Sequence, residues 1–155
     1  MRVHIGGDHA AYELLGELVT FLEAEGHEVT NHGPHTFDAL DDYPVFVLRA
    51  AEAVAADPES LGVVLGGSGN GEQMAANKVR GIRAALCYDE ELARLAREHN
   101  DARVISIGAR MQAVEEAKAM VSTFLATPFS GEPRHQRRID LVSAYESDGS
   151  LPPLP

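Results

Sequence analysis

The sequence predicts an α/β fold: one Rossmann-like, three-layer αβα sandwich around a mostly parallel five-stranded sheet. Three observations predict it. Short apolar runs alternate with longer amphipathic ones along the chain, the signature of βαβ units. The run Gly62-Val63-Val64-Leu65 is continuously apolar, as strands covered on both faces are. Two unusual glycine loops follow directly on strand-like runs, where an open parallel sheet binds ligands.

The elements follow in order. Val3-His4-Ile5 reads as a strand. Tyr12 to Glu25 reads as a helix, with Leu14, Leu15, Leu18, Val19 and Leu22 at helical spacing and Gly26 as its stop. Glu28 to Asn31 is a second strand. Asp41-Asp42-Tyr43-Pro44 starts a helix that runs to Ala56, with Pro44 in its first turn and the acids near its positive end. Strands over residues 62–65, 82–87 and 104–107 then alternate with helices over residues 72–77, 89–98 and 113–125. A last helix spans about Glu132 to Tyr145. Residues 1–146 thus form one domain, a size that buries a core without disulfides. Residues 147–155 hold three prolines and a glycine, and are expected to form a tail that does not continue the helix.

Composition excludes several classes. The 155 residues carry a net charge of −11, which repels polyphosphate and argues against a nucleic-acid partner. The single cysteine, Cys87, excludes an internal disulfide framework and a multi-thiolate zinc site, and points to a reducing cytoplasm. No apolar segment reads as a signal peptide or a membrane span.

The loop Gly66-Gly67-Ser68-Gly69-Asn70-Gly71-Glu72 carries the strongest chemical signal. Its amides are expected to converge near a helix N-terminus. The dinucleotide fingerprint fails, because the position for its third glycine is Glu72. The P-loop fails too, because Gly71 is followed by Glu72-Gln73 rather than Lys-Ser/Thr. A carboxylate there would repel phosphate. It suits a base beside amides that hold a developing oxyanion. The alternative is a tight strand–helix turn with Glu72 as a dipole-matching acid.

Asp8-His9 occupies the matching place after the first strand, where an acid and an imidazole can position hydroxyls or a ring oxygen; Asp8 can equally cap the next helix. His99-Asn100 ends an amphipathic segment, where a histidine often only answers the helix dipole. Arg134 and Arg138 are one helical turn apart and can pinch one anion, unless surface acids such as Asp140 neutralise the cluster. Arg137 is off that face. Arg110, just after the fifth strand, is a further anion ligand. In His32-Gly33-Pro34-His35 the Gly-Pro pair breaks any helix that would align the imidazoles, so no metal is expected.

Five motifs in register resemble one family. Gly6-Gly7-Asp8-His9-Ala10 resembles its G-x-D-H-A opening, and Asp41-Asp42-Tyr43-Pro44 its D-Y-P element. Gly67-Ser68-Gly69-Asn70-Gly71 with Ala76-Asn77-Lys78 resembles its G-[ST]-G-x-G…A-N-K core. His99-Asn100 and Arg134-His135-Gln136-Arg137-Arg138 resemble its H-N and R-H-x-x-R elements. The family is that of the type B ribose-5-phosphate isomerases and galactose-6-phosphate isomerase subunits. Many members carry a cysteine base where this chain has Gly66; the glutamate branch puts the base at the position of Glu72.

The resemblance implies aldose–ketose isomerisation of ribose 5-phosphate through a cis-enediolate. It implies Glu72 as base, with Ser68 and the amides of Gly67, Gly69, Asn70 and Gly71 around the enediolate oxygen. His99 would open the sugar ring, with Asp8 and Asn100 on hydroxyls and His9, Arg110, Arg134 and Arg138 on phosphate. No cofactor is implied, and the partner is a second copy with active sites at the interface. Topology agrees: Asp8 and Glu72 follow strands, whereas His99 and Asn100 precede one and belong at the opposite sheet edge. The alternatives are a galactose or allose 6-phosphate isomerase and a non-catalytic sugar-phosphate-binding module on the same fold.

Overall fold

The computed structural model describes residues 1–154. Five strands form one sheet: β1 (Arg2–Gly7), β2 (Glu28–Asn31), β3 (Ser60–Gly66), β4 (Ala84–Leu86) and β5 (Val104–Gly108). The order is β2-β1-β3-β5-β4 and every pairing is parallel. Six helices connect and flank them: α1 (Tyr12–Ala24), α2 (Pro44–Ala56), α3 (Asn70–Ala76), α4 (Glu90–Asn100), α5 (Val114–Ala126) and α6 (Pro133–Asp148). None is long and apolar enough to cross a membrane.

Strand alternation splits the core in two. Ile5, Val63, Leu65, Ile105 and Ile107 face α1, α4 and α5, whose Leu18, Ala93 and Phe124 close that layer. Val64 and Val104 face α2 and α3, meeting Val47, Val54 and Ala76. β3, central and buried throughout, supplies both layers, which is why it reads as a continuous apolar run. The chain runs from β1 outward to β2, then returns to the other side of β1 as β3. The carboxyl ends of β1 and β3 therefore form the switch point where ligands bind in such sheets.

Most boundaries shift by one or two residues, and three shifts have a structural cause. The ladder of β4 spans only Ala84–Leu86, although Ile82 and Cys87 are also buried. Asn77 holds the strand's start, accepting from the Ala84 N–H at 2.9 Å and donating to its carbonyl at 2.8 Å. The motif's Asn77 thus acts structurally. α3 begins at Asn70 rather than Glu72, because Gly69 at φ 81° lets the chain turn into the helix early. α6 continues to Asp148, past the expected Tyr145. Glu146 accepts the Gly81 N–H on both carboxylate oxygens, at 3.1 and 3.0 Å, which ties its last turn to the body. Beyond Gly149, residues 150–154 are exposed and irregular.

Candidate active site

A cavity of about 410 Å³ opens at the switch point, lined by Asp8, His9, Tyr43, Gly67, Ser68, Glu72 and Arg110 among others. A larger, shallow cleft of about 690 Å³ lies along the outer side of α1. Its acidic lining, Glu13 and Glu17, does not suit a phosphate.

Glu72 stands in the first turn of α3 and is 4% exposed. Its carboxylate occupies the space of the side chain that Gly66 lacks: a Cβ on Gly66 would overlap Glu72 Cδ and Oε1, and would lie 2.8 Å from Oε2. Burial pushes the Glu72 carboxyl above its ordinary value, and the charge of Asp8 adds to this. Backbone N–H groups of Glu72 and Gly69 pull the other way. The result is a carboxylate made more basic than a solvated one, the property a proton-transfer base needs.

The loop beside it is held from below. Buried Ser106, on β5, donates its hydroxyl to the Gly69 carbonyl at 2.7 Å. Ser68 Oγ accepts the Asn70 N–H at 3.3 Å and the Asn70 side-chain amide at 3.2 Å, leaving its own hydroxyl proton to donate elsewhere. Among the described residues, the Ser68 and Gly71 amides have no protein acceptor. Asn70 works by holding Ser68. The Arg110 N–H bonds the Gly67 carbonyl at 3.1 Å, which brings its guanidinium over the loop.

Asp8 caps the 3-10 turn His9–Ala11, accepting the Ala10 N–H at 3.0 Å, and it also lines the cavity. His9 is held by Asp41, whose Oδ1 lies 2.7 Å from Nδ1 and 2.9 Å from the His9 backbone nitrogen. That contact holds the His9 imidazole above its ordinary pKa. Asp8, His9 and Asp41 bring one polar side-chain atom each within 4.8 Å of one another, and the His9–Asp41 hydrogen bond joins two of them. In the His32–His35 segment, His32 Nε2 meets His4 Nδ1 at 3.0 Å.

His99, Asn100, Arg134 and Arg138 lie apart from this cavity. His99 and Asn100 end α4, an 11-residue helix running back toward the amino edge of the sheet, about 16 Å from its start. The His99 ring stacks on His135 of α6 with centroids 4.2 Å apart. His135 is buried and bonds Ser130 Oγ through Nδ1 at 2.8 Å; burial and the neighbouring His99 push its pKa down. Arg134 and Arg138 flank His135 in sequence. Gln136 takes Asp140 at 2.8 Å, and among the described residues no carboxylate pairs with Arg134, Arg137 or Arg138. One cluster therefore collects Asp8, His9, Ser68, Glu72 and Arg110, and a second collects His99, Asn100, Arg134 and Arg138. Tyr43, Asp41 and His135 were not singled out from sequence as site residues, although each lies within a motif that was. Cys87 is buried, which pushes its thiol up to about 12 and leaves it inert at neutral pH.

The family model for Ribose/Galactose Isomerase matches residues 3–142. The chain belongs to the ribose/galactose isomerase family. Within it, the chain is 54% identical over 155 residues to "Ribose-5-phosphate isomerase B" of Mycolicibacterium paratuberculosis, covering 100% of this chain and 98% of that one. It is 36% identical over 145 residues to the protein of that name from Escherichia coli, covering 94% and 96%. A Mycoplasma genitalium ribose-5-phosphate isomerase B structure with bound ribulose-5-phosphate matches at TM-score 0.91 and 38% identity. That match covers 95% of this chain and 97% of the other.

Proposed function

We propose that this isomerase-family chain interconverts D-ribose 5-phosphate and D-ribulose 5-phosphate, in the pentose phosphate pathway of the cytoplasm. The observation that carries the reading is the buried Glu72 carboxylate, set beside unengaged loop amides at the switch point. Full-length relatives of the same activity support the substrate.

Glu72 takes the proton from C2 of the open-chain aldose and returns it to C1, while the O2 hydroxyl proton passes to O1 within the cis-enediolate. The Ser68 hydroxyl and the unengaged amides of Ser68 and Gly71 meet the oxygen as negative charge develops, while the Asn70 N–H is taken by Ser68. Asp8 holds a substrate hydroxyl. His9 and Arg110 meet the phosphate from this side. His99 opens the furanose ring, Asn100 holds a hydroxyl, and Arg134 and Arg138 complete the phosphate clamp. These last four sit in the second cluster, so a homodimer related by a two-fold axis supplies them across the interface. Exposed Leu141, Val142 and Tyr145 on α6 form an apolar stripe at i, i+1 and i+4 that suits such packing. The chemistry needs only proton transfer and hydrogen bonding, so it runs without a cofactor.

The test is purified protein in EDTA with ribose 5-phosphate, galactose 6-phosphate and allose 6-phosphate, following aldose–ketose conversion in deuterated water. Ribose 5-phosphate turns over with solvent deuterium entering the reacting carbon. Loss of all activity in EDTA, or preference for a hexose 6-phosphate, would overturn the reading.

A further inference from the structure

We propose that Asp41 is a positioning residue for the phosphate site: it binds the Nδ1 edge of His9, fixes the ring's orientation, and leaves the Nε2 edge to meet the sugar phosphate. The inference rests on the reading of His9 as a phosphate ligand.

The geometry is specific. Asp41 comes from the turn before α2, 32 residues away from His9 in sequence. One of its oxygens, Oδ1, receives two bonds from the same residue: the His9 backbone N–H at 2.9 Å and ring Nδ1 at 2.7 Å. A carboxylate oxygen only accepts, so Nδ1 carries its proton and Nε2 is the nitrogen left free. The Asp41 side chain is 9% exposed, and among the described residues its buried Oδ2 has no hydrogen-bond partner. A carboxylate so placed is costly beside a neutral ring, and the charged ring compensates it.

The other groups around His9 act in known directions. Asp8, adjacent in the chain, favours the charged ring. Tyr12 and Glu13 of α1 and the edge of Phe37 line the adjoining cleft, and Arg110 enters from the turn after β5. Among the described residues, only Asp41 hydrogen-bonds a ring nitrogen of His9. A neutral His9 would offer Nε2 as a bare lone pair and repel phosphate oxygens. A charged one donates to them. Holding the ring charged therefore extends phosphate binding to higher pH.

The test compares the wild type with Asp41→Asn, and with Asp41→Glu as the charge-keeping variant should Asn impair folding. The first readout requires no turnover: NMR titration of the His9 ring, assigned with His9→Gln. The ring titrates above 6.5 in the wild type, falls in Asp41→Asn, and stays raised in Asp41→Glu. The second readout is inhibition by inorganic phosphate across pH. Asp41→Asn weakens it about tenfold at neutral pH, and KM for ribose 5-phosphate rises in parallel with much less change in kcat. Unphosphorylated ribose is unaffected. An unmoved His9 titration overturns the positioning role, whatever the protein turns over. A moved titration with unchanged phosphate affinity overturns the assignment of His9 to phosphate, and this proposal with it, while leaving the isomerase reading intact.

Discussion

The carboxylate of Glu72 fills the space above Gly66 that any other residue's side chain would need. The two positions therefore behave as one. A side chain at 66 and a glutamate at 72 exclude each other sterically, so a base can stand at one position or the other. Gly66→Ala should displace Glu72 and cost about 10²-fold or more in kcat, while phosphate binding stays within a few-fold. Gly66→Cys alone should be as poor. Gly66→Cys with Glu72→Ala removes the clash and offers a thiol, and should exceed both single variants. Steady-state kinetics on the four proteins check this; wild-type kcat in Gly66→Ala would contradict it.

Glu72→Gln keeps the shape and removes the basicity. It should lower kcat by about 10²–10⁴-fold. Cys87→Ser should leave kcat nearly unchanged, since that thiol is buried and held protonated. The reverse pattern would move the base to Cys87.

Most of the scaffold was legible because the core is simply patterned. β2 and α2 fall where the sequence places them, α2 because Pro44 marks its first turn. β4 is shorter because apolar pattern reports burial, not strand pairing: Ile82 is buried before the strand, and Cys87 is buried just past its end, where its N–H makes one last bond to the Ser106 carbonyl at 3.1 Å. The end of α6 has a local signal in Gly149, which caps the helix at φ 76°, but the contact of Glu146 with Gly81 that ties its last turn down spans 65 residues and is not encoded locally. The same holds for the site. The glycine loop and Glu72 are local and were readable. Asp41 bonding His9, and His135 stacking on His99, are long-range pairings, and the motifs carried the residues without their roles.

Glu72 also sets a pH dependence of stability. Its folded pKa is raised by burial, so folding favours the neutral acid. That stabilisation is fully present below the unfolded pKa and is lost as pH rises through the folded one. Glu72→Gln should therefore melt higher than wild type at pH 7, and the difference should vanish near pH 4. Thermal melts at the two pH values test it; a lower Tm for Glu72→Gln at pH 7 would contradict the burial cost.

Arg134→Ala and Arg138→Ala should weaken ribose 5-phosphate binding about tenfold or more, the loss of a charge-assisted hydrogen bond of ~1.5–3 kcal/mol. Unphosphorylated ribose should be indifferent. Arg137→Ala, off the shared face, should be milder. Equal effects on both sugars would show that the arginines only support structure.

We propose that Glu72 of one copy works with His99 of another. The two lie in separate clusters within one chain, at opposite edges of the sheet. The direct measurement is subunit complementation. Glu72→Gln and His99→Ala homodimers are prepared separately, refolded together, and the heterodimer is purified by differential tags. The two parents should be nearly inactive and the heterodimer should show about half the wild-type activity, from its one intact site. A verified heterodimer as inactive as its parents would contradict the shared site.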